Sequence, residues 1–542
     1  MTQTRCDVAI VGSGFAGSLL ARMLAKLGYE VTLLERGTHP RFAIGESSTP
    51  MANLTLERIG ARYGLEDCID LATHGRWLAR RPELMRGLKR GFTFYRHHPG
   101  EEFADRGLDS ERLLVAASPD DAIADTHWLR ADVDHHFVRE AVAAGVEYRD
   151  RVDLTHATFD DEGAHLGGRT RDGEAIDVRT TFVVDASGPR GFLAKQLAIP
   201  SGLDRTRTRA GLVFSHFDDV ALMADAMPGL PPGPYPDDRA ATHHMLDEGW
   251  MYSLRFDDGV TSAGILLSPS RDATVAAAPS AATAATSSSA DEIWRSTLER
   301  YPTIGRLFAG ARPRFPLKHI PQIQHRLAHA AGARWAVLPH AYAFVDPLFS
   351  TGIAWGLRGV ERIASAFERA KRGAGVPDHA TLTRYDALLA AEADQIDCLV
   401  AGAYQAMQHF DLFAAHTMIY FALVSYSEVQ QRFDPGEDWA WQGFLGVGDP
   451  VAQSLPRQAL SRLDAIVGDH GHIASSAERR DYAAWVEQAI APRNIAGFAD
   501  QARHNLYPVD LDVLIDRHAL LGLDREALIE RLPLLRGLAG SA

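Results

Sequence analysis

Three stretches of this 542-residue chain carry residue types that can do chemistry. The first, Gly12-Ser13-Gly14-Phe15-Ala16-Gly17, is a G-x-G-x-x-G lying between a β-branched run, Val8 to Val11, and a helical pattern through Leu19, Leu20, Met23, Leu24 and Leu27. Gly12 permits the tight turn, Gly14 lets backbone amides approach a pyrophosphate, and Gly17 brings helix and strand into contact. The helix N-terminus at Phe15 and Ala16 favours the phosphate charge. A second strand over Tyr29 to Glu35 ends in a carboxylate eighteen residues after Gly17, placed to accept both hydroxyls of an adenosine ribose, with Arg36 next to it. This unit predicts dinucleotide binding and by itself leaves NAD and FAD open. In the second stretch, Phe344-Val345-Asp346-Pro347-Leu348-Phe349-Ser350-Thr351-Gly352, Pro347 and Gly352 shape a turn. Ile353 is expected to start a helix whose N-terminal amides can hold an anion. The third is Lys89, in Lys89-Arg90-Gly91-Phe92-Thr93-Phe94. A buried lysine shifts its pKa readily, but the cluster Arg86, Lys89, Arg90 also reads as a solvated basic surface.

Elements must position these groups. Strand, turn, helix and strand at the N-terminus form one β-α-β unit. Phe182-Val183-Val184 runs into Asp185-Ala186-Ser187-Gly188 as another parallel strand, and Trp335 to Leu338 is a third, followed by Pro339-His340. Between them, Trp250 to Phe256 and Thr261 to Leu267 alternate like half-buried antiparallel strands. Residues 273 to 290, rich in Ala, Ser and Thr, read as a surface insertion. Beyond Ile353 the pattern is helical. Leu382, Tyr385, Leu388, Leu389, Ile396, Leu399 and Ala403 mark one long amphipathic helix, and Arg525 to Leu532 a last short one capped by Asp524 and stopped by Pro533. The expected fold is α/β, with a Rossmann-like lobe interleaved with an antiparallel substrate sheet and a helical C-terminal region. Residues 1–372 form the first module, with nucleotide-binding segments near 5–50, 125–195 and 333–372 and the substrate sheet near 80–105 and 205–330. Residues 373–542 form the helical region.

Composition narrows the field. With 46% hydrophobic and 23% charged residues the chain is an ordinary globular one. A net charge of −14 argues against a nucleic-acid surface. Three scattered cysteines, Cys6, Cys68 and Cys398, with no C-x-x-C, point to a reducing compartment and to no metal centre. Phe413 to Val424 is too short to span a bilayer and carries His416, and Asp7 interrupts any leader-like apolar run. The cytoplasm is the expected compartment. The pairs His97-His98, His135-His136 and His243-His244 lack ligand partners at metal-binding spacing. Trp439 and Trp441 read as loop anchors.

Taken in order, the fingerprint, Asp185-Ala186-Ser187-Gly188 and Phe344 to Gly352 resemble the FAD-dependent aromatic hydroxylase superfamily and, within it, the flavin-dependent halogenases, over roughly residues 5 to 360. The resemblance implies FAD as cofactor, supplied reduced by a separate flavin reductase, since no second nucleotide fingerprint occurs. It places Gly45-Glu46-Ser47-Ser48-Thr49-Pro50 along the flavin, and Arg130, Asp185, Gly188, Asp346, Gly352 and Ile353 around it. It assigns a halide to Thr351 and Gly352, the family's F-x-x-P-x-x-S-x-G. It makes Lys89, in a K-x-G-x-x-F segment, the residue that directs hypohalous acid onto the substrate.

Phe349 stands where tryptophan-specific members carry glutamate. A phenol-like or pyrrole-like substrate, free or carrier-tethered, is therefore expected among Phe92, Phe94, Tyr95, Trp250, Tyr252 and Phe349. Two departures keep rivals open. Trp250-Met251-Tyr252-Ser253-Leu254-Arg255 replaces W-x-W-x-I-P, which suits an FAD monooxygenase. Pro339-His340 replaces the usual Gly-Asp beside the ribityl chain, which suits weak FAD binding or a flavin-binding scaffold without turnover.

Overall fold

The β-branched run at the N-terminus forms the strand Thr4–Val11 in a computed structural model that describes residues 3–104, 111–189, 191–268, 289–373, 375–433, 436, 438–467 and 474–531. It is the centre of a sheet. Ala175–Asp185 and Val31–Leu34 pair with it in parallel on either side, and Trp335–Val337 continues in parallel beyond Ala175–Asp185. The second strand is shorter than the run Tyr29 to Glu35 suggests. Val11 is opposite both Asp185 and Leu34, and Asp185 is opposite Val337, so these strands end at one edge. That carboxyl edge is where open parallel sheets bind ligands.

A second sheet runs Arg312–Pro313, Gly211–Asp218, Thr261–Leu267, Gly249–Arg255, Ala241–Met245, Gly91–Arg96, Arg112–Ala116, Leu506–Tyr507. It extends past the segments expected for it, because Arg112–Ala116 pairs with Gly91–Arg96 and the C-terminal region contributes Leu506–Tyr507. Its inner strands are more than half-buried. Every residue of Thr261–Leu267 is buried, because both faces are covered. Phe217 and Ile265 pack with Trp294 and Phe308 on one side. On the other, Phe92, Phe94 and Leu266 belong to the main core together with Phe413 and Phe421. A separate two-stranded ladder, Arg86–Lys89 against Asp125–Trp128, carries Lys89.

The helices His379–Ala406, Phe410–Phe433, Pro450–Val467 and Ser476–Ile490 make up most of the C-terminal region. Phe410–Phe433 outgrows the short apolar stretch read from sequence. At 24 residues it is long and apolar enough to cross a membrane, yet 78% of its apolar window is buried inside the protein. Its hydrophobicity serves the core. Trp439 is held under Arg58 and Arg62 at 5.5 and 5.3 Å, and Trp441 under Arg384 at 4.9 Å, so this loop is pinned to helices. Asp524 caps the last helix, Arg525–Arg531, by accepting from the Ala527 amide at 2.7 Å. Pro533 and most of the 273–290 insertion lie outside the described residues. Cys6, Cys68 and Cys398 are free thiols.

Candidate active site

Glycine at the first turn is required by space. Gly12 has φ +101°, and a Cβ there would come 2.5 Å from the Ala186 carbonyl oxygen. A Cβ at Gly17 would come 2.0 Å from the oxygen of Gly12. Glu35, at the end of Val31–Leu34, accepts from the Ser13 amide and hydroxyl, both at 2.9 Å, and from the Gly37 amide at 2.7 Å. Burial alone would raise its pKa, but these donors and Arg41 hold it below the ordinary carboxylate value. Arg130 is no surface ion pair. It is buried, bonds Asp134 twice at 2.8 and 2.9 Å, and reaches the carbonyl oxygens of Ile44 and Gly45. Asp134 in turn accepts from the Phe15 amide at 3.2 Å.

A cleft of about 500 Å³ opens along this edge, lined by Gly12, Glu35, Arg36, Arg41, Ser187 and Lys195 among others. A turn into which no Cβ fits, a carboxylate at the end of the second strand and flanking cations suit the adenosine diphosphate part of FAD.

Three acidic residues expected near the cofactor have protein partners. Asp185 accepts from the Ser187 amide and hydroxyl and from the Leu193 amide, so its carboxylate builds the turn that holds Gly188 at φ +80°. Glu46 pairs with His216 at 2.9 Å. Asp346 accepts from the Tyr404 hydroxyl at 2.8 Å and the Leu348 amide at 3.0 Å, and burial pushes its pKa up to about 7.

The helix expected to hold an anion runs Thr351–Ala370, two residues earlier than expected, because Ser350 turns the chain in the left-handed region at φ 51°. The Ser350 hydroxyl donates to that of Ser47 at 3.0 Å, which fastens the 45–50 segment to this turn. Phe349 stacks on Tyr420 at 4.5 Å, and the Tyr420 hydroxyl donates to the Phe349 carbonyl at 2.8 Å. His340 also belongs here. Its ring lies 5.6 Å from that of Phe15 and would sit 3.3 Å from a Cβ at Gly352, and burial with nearby Arg130 pushes it down to about 4. A neutral ring at this position takes no negative charge to the turn.

Lys89 is fully buried, which rules out the solvated-cluster reading. Arg86 is itself buried against Asp257, and Arg90 pairs with Asp121. The Lys89 ammonium donates to the Ser48 carbonyl at 2.5 Å and lies 4.0 Å from the centre of the Phe92 ring. Burial pulls its pKa well down from the ordinary lysine value, against the opposing charge of Asp125. Phe92 and Phe94 face His243, Phe413 and Phe421, with His243 stacked 4.5 Å from Phe94 and held neutral by burial. Trp250 and Tyr252 share this core, and the Trp250 indole donates to Tyr404 at 3.0 Å. Tyr95 does not join them. Strand alternation turns it to the other face, where it donates to Asp237.

Asp125, Tyr404 and Tyr420 were not singled out from sequence. A hydroxyl inside the apolar run Phe413 to Val424 was the one available signal, for Tyr420. Among the described residues no group of His, Cys, Asp and Glu could hold a metal ion, and His97 and His244 bond each other at 2.9 Å.

Residues 7–343 match the family described as FAD dependent oxidoreductase. Among curated relatives, tetracycline 7-halogenase of Kitasatospora aureofaciens is 32% identical over 358 residues, which are 64% of this chain and 60% of that protein. Monodechloroaminopyrrolnitrin halogenase PrnC of Pseudomonas fluorescens is 28% identical over 64% of this chain and 59% of its own length. The chain thus spans about 60% of the length of these relatives. A 1H-pyrrole-2-carbonyl-[peptidyl-carrier protein] brominase of Pseudoalteromonas luteoviolacea (strain 2ta16) is 25% identical over 68% of this chain and 78% of that protein. The crystal structure of halogenase PltM in complex with phloroglucinol and FAD superposes with a TM-score of 0.80 at 21% identity, covering 92% of this chain and 99% of that one, a likeness of fold. With a matching family over more than half its length, the chain belongs to the FAD-dependent oxidoreductases.

Proposed function

We propose that this protein halogenates an electron-rich aromatic group, phenol-like or pyrrole-like, using FAD reduced by a separate reductase, dioxygen and a halide. One observation carries the reading. Lys89 is entirely buried, and the segment it bonds is fastened to the turn before Thr351 and Gly352. The names of the relatives, halogenases of aromatic and pyrrole compounds, support it.

FAD would be held by the amides of Gly12 to Gly17, by Glu35 and Arg36 at the ribose, by the 44–47 segment that Arg130 braces, and by Gly188, Gly352 and Ile353. Reduced FAD and dioxygen supply the oxidising equivalent that turns halide into hypohalous acid. The amides of Thr351 and Gly352 hold the halide at a helix N-terminus. Lys89 hydrogen-bonds the electrophile, and Phe92, Phe94, Trp250, Tyr252 and Phe349 exclude water and wall the ring. Residues 1–372 would carry the chemistry and 373–542 close over it, in the cytoplasm, where the three free thiols stay reduced. The substrate arrives free or tethered to a carrier protein.

Incubation with reduced FAD, oxygen, bromide and a panel of phenols and pyrroles, followed by mass spectrometry, tests this. Brominated product supports it. Hydroxylated product would move the protein to the monooxygenases, and no product on any substrate would leave a flavin-binding scaffold.

A further inference from the structure

Asp125 is the cross-strand partner of Lys89, last in the ladder Arg86–Lys89 against Asp125–Trp128. Directly opposed residues in a sheet share a face. Both side chains are buried, Asp125 at 1% exposure and Lys89 at 0%. One carboxylate oxygen, Oδ1, accepts from the Asn53 side-chain amide at 2.8 Å, whereas Oδ2 has no hydrogen-bond partner. An unbonded buried carboxylate oxygen is costly unless it serves something.

The anchoring chain is short. Ser48, which accepts from Lys89, and Asn53, which holds Asp125, lie five residues apart on one continuous segment. That segment also reaches the anion-binding turn through Ser47.

We propose that Asp125 is the positioning residue of Lys89. The two groups do not bond each other; the unbonded Oδ2 acts on Lys89 through the field between two opposed, buried side chains, so that an ionised Asp125 favours the ammonium and a protonated Asp125 lets Lys89 become a neutral amine beside Phe92. The proposal rests on the reading of Lys89 as the residue that handles the electrophile.

Burial disfavours both ions, lowering Lys89 and raising Asp125 toward each other, so the charge on each depends on the charge of the other. The other charged or titratable neighbours are few. His127, on the same strand as Asp125, and His243 are both kept neutral by burial. Tyr420, Glu428 and Arg432 approach from the helix Phe410–Phe433. Glu428 and Arg432 pair with each other, and Arg432 also with Glu57.

Lysine occurs at only five positions, 26, 89, 195, 318 and 371, and the other four are exposed. Labelling with lysine carrying ¹³C at Cε therefore gives five signals, one of them buried, readable by NMR without turnover. In the wild type the Lys89 signal should titrate well below the other four and in two steps. In Asp125→Asn it should titrate in one step, lower by about one pH unit or more, because the opposing charge that favoured the ammonium is gone. The acid limb of product formation should move the same way, while flavin reoxidation keeps its own profile. Asn53→Ala, which keeps the carboxylate but removes its orienting donor, should shift the Lys89 signal in the same direction by less, and it carries the test if Asp125→Asn does not fold. Identical Lys89 titrations in wild type and variants would overturn the pairing. If the signals shift as stated but Lys89→Ala still makes product, the pairing stands and the assignment of Lys89 to the electrophile fails.

Discussion

The ammonium of Lys89 lies 2.5 Å from the carbonyl oxygen of Ser48, while the adjacent residue, Ser47, accepts a hydrogen bond from Ser350 at 3.0 Å. Two neighbouring residues thus tie the lysine on its ladder to the turn that opens the helix Thr351–Ala370. The lysine and the start of this helix are thus connected through two consecutive residues, and the Phe92 ring lies 4.0 Å from the ammonium.

Lys89→Ala should cut halogenated product by on the order of 10²–10⁴-fold, while flavin reoxidation and release of hypohalous acid or peroxide continue. Lys89→Arg should not restore product. A guanidinium stays protonated and cannot readily form a haloamine, and this buried position holds an unbranched chain. Product yield and oxygen consumption measured on the same samples check this, and wild-type yield from a folded, FAD-binding Lys89→Ala protein would sink it.

Glu35→Ala should weaken FAD binding by about ten- to a hundredfold, because charge-assisted hydrogen bonds to a ribose contribute about 1.5–3 kcal/mol. The same change strips partners from the Ser13 and Gly37 amides, which stiffen the fingerprint turn. Titration of apoprotein with FAD followed by fluorescence is the measurement, and equal affinities would show that this carboxylate does not face the ribose.

Gly17→Ala is expected to be far worse than a methyl group implies. The added carbon would sit 2.0 Å from the Gly12 oxygen and 3.0 Å from the Ala186 side chain, and the first of these is backbone that cannot rotate away. Helix and strand must separate, at a cost of about 1–3 kcal/mol or more, and the phosphate amides move with them. Loss of both FAD binding and several degrees of thermal stability is the expected result. Wild-type values for both would mean that the turn is looser than its geometry.

What the sequence could reveal was local. Gly12 to Gly17 and Glu35 announce themselves because turn, helix and strand lie within one short segment, and Phe344 to Gly352 does so because its proline and glycine sit at fixed offsets. The state of Lys89 was not legible, since Arg86 and Arg90 beside it look like company in solvent. Each finds a carboxylate far along the chain, Asp257 and Asp121, which leaves the lysine buried between them. Asp125 becomes visible only through the register of a ladder whose strands are far apart in sequence. The partners of Asp185 and Asp346 were partly legible: Asp185 bonds within its own turn, a local arrangement, whereas Tyr404, which donates to Asp346, lies 58 residues further along the chain.

Asp346 gives stability an unusual pH dependence. Burial raises its pKa from the ordinary carboxylate value to about 7, although Tyr404, Leu348 and Trp250 partly oppose this. The native state therefore keeps a proton on it between about pH 4 and 7 that the unfolded chain has lost. Stability from this group is fully present below the unfolded pKa and is lost as pH rises through the folded one, by at most about 1.4 kcal/mol per unit. Buried histidines such as His340 and His243, pushed down to about 4 and about 3, contribute the opposite slope below pH 6.5. They are common to wild type and variant and cancel in the difference. Asp346→Asn keeps an acceptor for the Tyr404 hydroxyl and removes the titration. Its urea midpoint should gain on that of the wild-type apoprotein from pH 5 to about 7 and level off above it, and two parallel curves would show that the carboxylate is already ionised in the native fold.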